Sequence, residues 1–191
     1  MPLKFTIKGV KQLSLKAIAI CTFFHMQNEQ GLEIKPEVVD IICKNAELIV
    51  EYSAKNHINP ELILSLMWSE SRFQPEVVSH VGACGMMQII PKWSDNKTCA
   101  QLQNPMINIT EGIRQLKFWI DDYGKGSEEK GLCGYAAGYK CKESNKATRY
   151  AKSVIKRSNK LNKNLQKITK LIIQKPEFKK FIQEKYDMKS L

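Results

Sequence analysis

The stretch SESRFQPEVVSHVGACGMMQII, Ser69 to Ile90, decides how the rest of the chain is read. Glu70 closes an apolar run, LILSLMW, and is followed by Pro75, Gly82 and Gly85 before a Met-Met-Gln. A segment that only packed a core would not need that mixture. A carboxyl at the C-terminal end of a helix, beside Leu66, Met67 and Trp68, sits where neither the helix dipole nor its apolar neighbours favour its charge. Its pKa is therefore expected to rise. A carboxylic acid that stays protonated near neutral pH can protonate a leaving glycosidic oxygen. Taken alone, Glu70 is more simply read as a solvated helix-end residue. The residues after it shift that balance. Gly82 and Gly85 let the backbone pass close to a ligand, Ser79 and Gln88 supply neutral hydrogen-bonding groups, and Met86 and Met87 offer adaptable apolar surface.

Outward from this stretch the chain alternates helical runs and loops. PEVVDIICKNAELIVEYSAKN, from Pro36, puts Val39, Ile42, Ala46, Ile49 and Ala54 on one stripe. The next helix opens with Asn59 as a cap, Pro60 in the first turn and Glu61 at the positive end, and runs to Glu70. Gln74 to Gly85 reads as a loop with a short extended pair, and Met86 to Ile90 as a short helix closed by Pro91. NPMINITEGIRQLKFWIDDYG reads as a helix opening near Asn108, with Ile109, Ile113, Leu116 and Ile120 facing inward. A loop is expected from Gly124 to Gly131, and helix again from Thr148. Leu161, Leu165, Ile168 and Ile172 mark a basic amphipathic helix broken at Lys175-Pro176, with Phe178 and Phe181 anchoring a last short segment.

The chain has 191 residues and a formal charge of +11. That length holds one ordinary domain plus extensions. Hydrophobic residues make up 43% and charged residues 26%, which excludes wholesale disorder and a multi-span membrane protein. The charge is uneven: Lys140 to Leu191 carries 16 Lys+Arg against four Asp+Glu, and the rest of the chain is nearly balanced. Such a segment either faces water or is drawn to a polyanion: an anionic membrane, an acidic wall polymer or nucleic acid. At the other end, lysines precede the run AIAICTFF, Ala17 to Phe24, which is too short to span a bilayer. An export signal and a packed N-terminal helix or strand both remain open for it.

None of the six cysteines, Cys21, Cys43, Cys84, Cys99, Cys133 and Cys141, forms a Cys-x-x-Cys pair. Those from Cys84 onward lie in loop-like sequence, so at least one disulfide among them is expected, and with it an oxidising compartment. Cys84 reads as structural, since no histidine is fixed beside it to make it a nucleophile. His25, His57 and His80 share no metal-ligand spacing, and no phosphate-cradling glycine loop appears, so no metal or cofactor is expected. Of the tryptophans, core packing is the default, with Trp93 the best candidate to stack on a sugar.

ESRFQPEVVSHVGACGMMQIIP resembles the signature of the soluble lytic transglycosylase family: E-S-x-F-x-P, then S-x-x-G-A-x-G-x-M-Q, then P. These positions are Glu70, Ser71, Phe73 and Pro75; Ser79, Gly82, Ala83, Gly85, Met87 and Gln88; and Pro91. NPMINITEGIRQL is similar to the family's Asn-Ile-x-x-Gly helix, and Tyr135-Ala136-Ala137-Gly138 to its Tyr-Asn-Ala-Gly turn. Tyr150 lies where the family often has a tyrosine facing the catalytic acid. The resemblance implies an α+β, predominantly helical, lysozyme-like single domain over 36–158; the N-terminal extension, 1–35, and the basic helical tail, 159–191, lie outside it. It also implies cleavage of the β-1,4 bond of peptidoglycan glycan strands, with formation of a 1,6-anhydro ring and one carboxylic acid as acid and base.

Carried over position by position, Glu70 is that acid/base. Ser79 and Gln88 bind N-acetyl and hydroxyl groups, Met87 lines the subsite, and Tyr135 and Tyr150 orient Glu70 or the sugar. Ala136 departs from the family, which usually has Asn there. A second carboxylate is not required; Glu76 and Asp95, the nearest acids in sequence, belong to no motif. The expected setting is outside the cytoplasm or in a phage virion. A wall-binding or assembly protein that keeps the fold without turnover is the competing reading, and nucleic-acid binding through the tail a third and less favoured one.

Overall fold

A computed structural model describes residues 14–29 and 34–185. Of these, residues up to Val50 and from Asn162 onward form one compact unit, and Glu51–Leu161 form another. Helices dominate, and among the described residues β-structure amounts to two isolated antiparallel bridges, Val78 with Cys84 and Cys84 with Ile89.

Helix α1, Leu15–Glu29, contains the run Ala17 to Phe24, of which Ala17, Ile18, Ala19, Ile20, Cys21 and Phe24 are buried. Helix α2, Pro36–Lys55, carries Glu37 in its first turn and Lys55 in its last, each favourable to the helix dipole. Its stripe buries Val39, Ile42, Ala46 and Ile49 as expected. At its end Ser53 is inside and Ala54 exposed, because the drift of 3.6 residues per turn brings Ser53 onto the buried face.

Helix α3, Pro60–Ser71, is buried along most of its length, from Glu61 to Met67. Asn59 holds the N-cap position, but its side chain makes no capping bond; Pro60, which has no N–H to satisfy, opens the helix instead. At the other end Arg72 turns left-handed (φ 56°), and its N–H reaches back to the carbonyls of Met67 and Trp68. Phe73 is left-handed as well (φ 62°) and buried. Two such residues in succession turn the chain sharply after Glu70, at a cost of about 1–3 kcal/mol each.

Met86 to Ile90 does not form the expected helix. Gln88 is left-handed (φ 52°), its N–H bonds Gly85 O at 3.0 Å, and Cys84 and Ile89 exchange two backbone hydrogen bonds of 2.9 Å. The segment is a tight hairpin turn, and paired bridge hydrogen bonds replace a helical ladder. A 3-10 turn, Pro91–Trp93, follows, and then the short α4, Cys99–Leu102, with a Thr98–Gln101 capping box.

Helix α5 is Pro105–Phe118, capped by Asn104, whose side chain accepts from Ile107 N at 3.2 Å. It therefore starts earlier than expected, since Asn104-Pro105 is the stronger cap and first-turn pair. Ile109, Ile113 and Leu116 are fully buried, each contributing about 1.5–3 kcal/mol. The helix passes into a π-helical turn, Trp119–Tyr123. Helix α6, Glu128–Ala137, begins inside the expected loop, because Ser127 caps it and Glu128 and Glu129 suit its positive end. It packs on α5, on the π turn and on the 3-10 turn Gly138–Glu143.

Helix α7 runs over Asn145–Gln174 and α8 over Pro176–Lys185, with Lys175 between them. Leu161, Leu165, Ile168 and Ile172 are buried, which is the packing reading of that stripe. Phe178 is half-buried, and the side chain of Phe181 lies outside the described residues. Two disulfides are formed, Cys84–Cys99 and Cys133–Cys141, and Cys21 and Cys43 are free and buried.

Candidate active site

Glu70 reaches the site from the last turn of α3, and Tyr150, near the start of α7, donates a hydrogen bond to its Oε1. Burial pushes the Glu70 pKa up, and the Tyr150 hydrogen bond offsets part of that rise. The same neighbourhood raises the Tyr150 phenol well above its ordinary value, by burial first and then by the charge of Glu70. Tyr150 therefore remains a proton donor in the hydrogen bond at any physiological pH. Behind the acid, Arg157 donates to Ser69 Oγ at 2.7 Å, and Ser71 Oγ donates to Met86 O at 2.8 Å, fastening the end of α3 to the hairpin turn.

The turn itself is held by one residue of α5. Asn108 is fully buried. Its Oδ1 accepts from Met87 N at 2.6 Å, and its Nδ2 donates to Cys84 O at 2.9 Å and Leu102 O at 2.7 Å. Gly85, at φ 77°, lies so close that a Cβ there would come within 2.3 Å of Asn108 Nδ2 and of Leu102 O. The family's Asn-Ile-x-x-Gly pattern could have signalled this. Asn108 grips the turn, and Gly112, one helical turn on, makes room for Met87, whose Sδ would lie 2.4 Å from an added Cβ.

Each expected site residue has a definite place. Tyr135, near the end of α6, donates from its hydroxyl to Met87 O at 2.7 Å. Its pKa is raised well above the ordinary value by burial and by the charges of Glu70 and Glu111. Met87 does not line an open subsite: its side chain is fully buried, and what it offers to the site is the carbonyl that Tyr135 binds. Its packing against Gly112 explains the correction. Gln88 donates from Nε2 to Gly85 O at 2.9 Å and Val77 O at 3.1 Å, which fixes the plane of its amide. Ser79 is half-buried, and its Oγ accepts from Ala83 N at 3.0 Å, so part of its capacity goes to shaping the loop.

A cleft of about 750 Å³ opens beside these residues. Gln88, Tyr135 and Ala136 line it, together with the aromatic side chains of Trp93, Phe118, Trp119 and Tyr139. Trp93 is 62% exposed. Trp119, Tyr123 and Tyr139 meet edge to face in one cluster at 5.2–5.8 Å, which fixes the far wall. Ala136 is exposed on the cleft side of the Tyr135–Gly138 turn. Glu70, Ser79 and Tyr150 are not among the lining residues.

A buried acid that the sequence reading did not single out is Glu111, 4% exposed. Burial alone would raise its pKa, but hydrogen bonds from Arg114 and Gln115 and the charges of Arg114 and Lys97 outweigh that and hold it below the usual carboxylate range. Lys97 lies 3.4 Å from its Oε2, and Arg114 also reaches Asp95 at 3.5 Å. Two carboxyls of this unit are thus driven in opposite directions: Glu70 toward the protonated form, Glu111 toward the ionised one. Glu76 is exposed, with its backbone carbonyl accepting from Gln103. Among the described residues no group of three His, Cys, Asp or Glu side chains is placed to hold a metal ion.

The chain is 34% identical to a membrane-bound lytic murein transglycosylase C of Actinobacillus pleuropneumoniae serotype 5b over 41% of this chain and 25% of that protein. It is 32% identical to a transglycosylase of Enterobacteria phage PRD1 over 41% of this chain and 29% of that one. It therefore spans about a quarter of the length of these relatives. Among solved structures, the X-ray structure of an inactive mutant of the lytic transglycosylase Slt from Pseudomonas aeruginosa superposes with a TM-score of 0.59 at 15% identity, covering 74% of this chain and 30% of that one, a likeness of fold. The transglycosylase SLT domain matches residues 47–158, more than half the chain and the whole of the Glu70 site, so this protein belongs to the transglycosylase SLT family, with its lysozyme-like fold.

Proposed function

We propose that this chain is a peptidoglycan lytic transglycosylase that cleaves the β-1,4 bond between N-acetylmuramic acid and N-acetylglucosamine, with Glu70 as its single acid and base. The observation that carries the reading is the state of Glu70: a carboxyl raised by burial, at the family's signature position, and oriented by the Tyr150 hydroxyl. Protonated, it gives its proton to the glycosidic oxygen as the bond breaks. The substrate's own N-acetyl group assists at the anomeric carbon. Glu70, now a carboxylate, then takes the proton of the muramic C6 hydroxyl, and that oxygen closes the 1,6-anhydro ring. Atoms balance without water, so one carboxyl suffices for both steps.

Placement supports the remaining roles. Gln88, its amide nitrogen occupied by two carbonyls, keeps its amide oxygen for a sugar N–H or hydroxyl in the cleft. Ser79 contributes its hydroxyl at the loop edge. Tyr150 orients the acid, and Tyr135 holds the turn through Met87 O. The aromatic wall suits the apolar faces of pyranose rings.

Two disulfides suit work outside the cytoplasm, in the wall or in a virion. The basic tail buries its apolar stripe and leaves a lysine-rich surface, which favours electrostatic attachment to an anionic wall polymer or membrane surface over insertion. Among the described residues no helix is long and apolar enough to cross a membrane.

Mass spectrometry of the soluble products from purified peptidoglycan tests the reaction, with wild type and Glu70→Gln side by side. 1,6-Anhydro muropeptides from the wild type alone are expected. Reducing-end products would mean hydrolysis, with Glu111 as the second carboxyl to test. No product from either protein would replace the enzyme with a wall-binding or assembly role.

A further inference from the structure

The cysteines of the Glu51–Leu161 unit are all paired, and the two that remain lie together in the other unit. Cys21 is in the middle of α1 and Cys43 in α2, 0% and 2% exposed. Ser14 N, just before α1, donates to Glu47 Oε2 of α2 at 2.6 Å, which ties the two helices together, and the two thiols stand close enough that each shifts the other's titration. His25, one turn along α1 from Cys21, also hydrogen-bonds Cys43, and Asp40 stands one turn before Cys43 on α2. Each group has a counterpart on the facing helix, an arrangement that core packing alone does not require. A metal would be the first thought for such residues, but no three of them converge as a ligand set.

We propose that Cys21 and Cys43 are a redox site, closed to a third disulfide by a disulfide oxidant, that staples α1 to α2. Buried thiols that face each other from two tied helices form a disulfide once their Cα atoms come within about 4.4–6.8 Å. The roles of the two sulfurs differ. Hydrogen bonds from Cys21 and His25, with the nearby His25 charge, bring Cys43 down to about 7 against burial and the Asp40 charge. Burial and the neighbouring Cys43 hold Cys21 well up. Cys43 is therefore the thiolate that attacks, and Cys21 the thiol that resolves.

The exchange balances in two steps. The Cys43 thiolate attacks one sulfur of the oxidant's S–S bond, forming a mixed disulfide and releasing one oxidant thiol. Cys21 then loses its proton and attacks the Cys43 sulfur, displacing the second oxidant thiol. The two protein thiols lose two electrons and two protons, and the oxidant disulfide is reduced to two thiols. Because both sulfurs are buried, the exchange takes place as the helices dock or when α1 lifts from α2. The site is open in a reducing cytoplasm and closed in an oxidising compartment, independently of any reaction at Glu70.

The test is folding the full-length reduced chain in a glutathione redox buffer, blocking residual thiols with a maleimide under denaturing conditions, and mapping the peptides by mass. The expected result is a Cys21–Cys43 linked peptide two hydrogens lighter than its halves, beside the Cys84–Cys99 and Cys133–Cys141 peptides. The midpoint of thermal unfolding should rise by roughly 5–10 °C on closure of this loop, in wild type and in no Cys21→Ser, Cys43→Ser variant. Maleimide on both Cys21 and Cys43 with the other four cysteines bridged would overturn the proposal, as would either cysteine linked to a cysteine of the other unit.

Discussion

Tyr150 donates its phenol hydrogen to Oε1 of Glu70 from 80 positions along the chain, joining α7 to the end of α3. This bond opposes the effect of burial, because it favours the ionised carboxyl that burial disfavours. Glu70 is therefore poised by two opposed causes, and each can be removed separately.

Replacing Tyr150 with Phe removes the bond and keeps the burial. The Glu70 pKa then rises further, and since the first step needs the protonated acid, the alkaline limb of the kcat/KM profile moves to higher pH. Loss of one hydrogen bond to a charged group should lower kcat by about 10–100-fold at the optimum. A pH series of kcat/KM for wild type and Tyr150→Phe checks both; an unmoved alkaline limb would remove Tyr150 from the site.

Glu70→Gln should be more stable than wild type at neutral pH. A carboxyl whose folded pKa lies above its unfolded value binds more protons folded, so stability is fully present below the unfolded pKa and lost as pH rises through the folded one. The Gln variant has no such loss. Thermal midpoints should coincide in acid and separate as pH rises toward neutral, with the variant higher. Glu111, with its folded pKa lowered, has the reverse dependence, and stability is lost as pH falls through that value. Measuring midpoints for Glu70→Gln and Glu111→Gln across one pH range tests the two signs together.

Asn108→Ala deletes three buried hydrogen bonds at once and strands Met87 N and the carbonyls of Cys84 and Leu102. The expected loss is about 3–5 kcal/mol of unfolding free energy, read from urea denaturation. Activity should fall along with it, because the turn that presents Gln88 loses its grip. Asn108→Asp keeps the acceptor for Met87 N and loses both donations, so it should fall between wild type and Ala.

Ala136 stands exposed at the cleft, where the family usually has Asn. An asparagine there meets no packed neighbour, so Ala136→Asn should leave the thermal midpoint within about 2 °C of wild type. One added hydrogen bond to the sugar would raise kcat/KM by about 3–10-fold. Peptidoglycan turnover by the two proteins decides it, and a fall would mean that this cleft has closed around the smaller side chain.

What could be read beforehand was whatever local chemistry dictates. The α5 stripe of Ile109, Ile113 and Leu116, the Pro60 start of α3 and the position of Glu70 all follow from spacing and end effects. What could not be read depended on groups distant in sequence. Arg72, Phe73 and Gln88 adopt left-handed backbone with side chains that give no hint of it; at Gln88 the turn is held by Asn108 and the Cys84–Ile89 bridge, and at Arg72 and Phe73 by bonds back to the Met67 and Trp68 carbonyls. Met87 looks like a subsite residue until Gly112 is seen to receive it. Glu111 looks like a solvated helix residue until Lys97 and Arg114 are found on either side of it.

Cys84 joins the hairpin that carries Gln88 to Cys99 at the start of α4. A covalent tie at that point makes the shape of the Gln88 turn depend on where the chain has been. Synthesised among reducing thiols, the protein carries this turn unclamped, and it reaches its full rigidity only after oxidation. Recombinant material made without an oxidising step should be judged with that in mind.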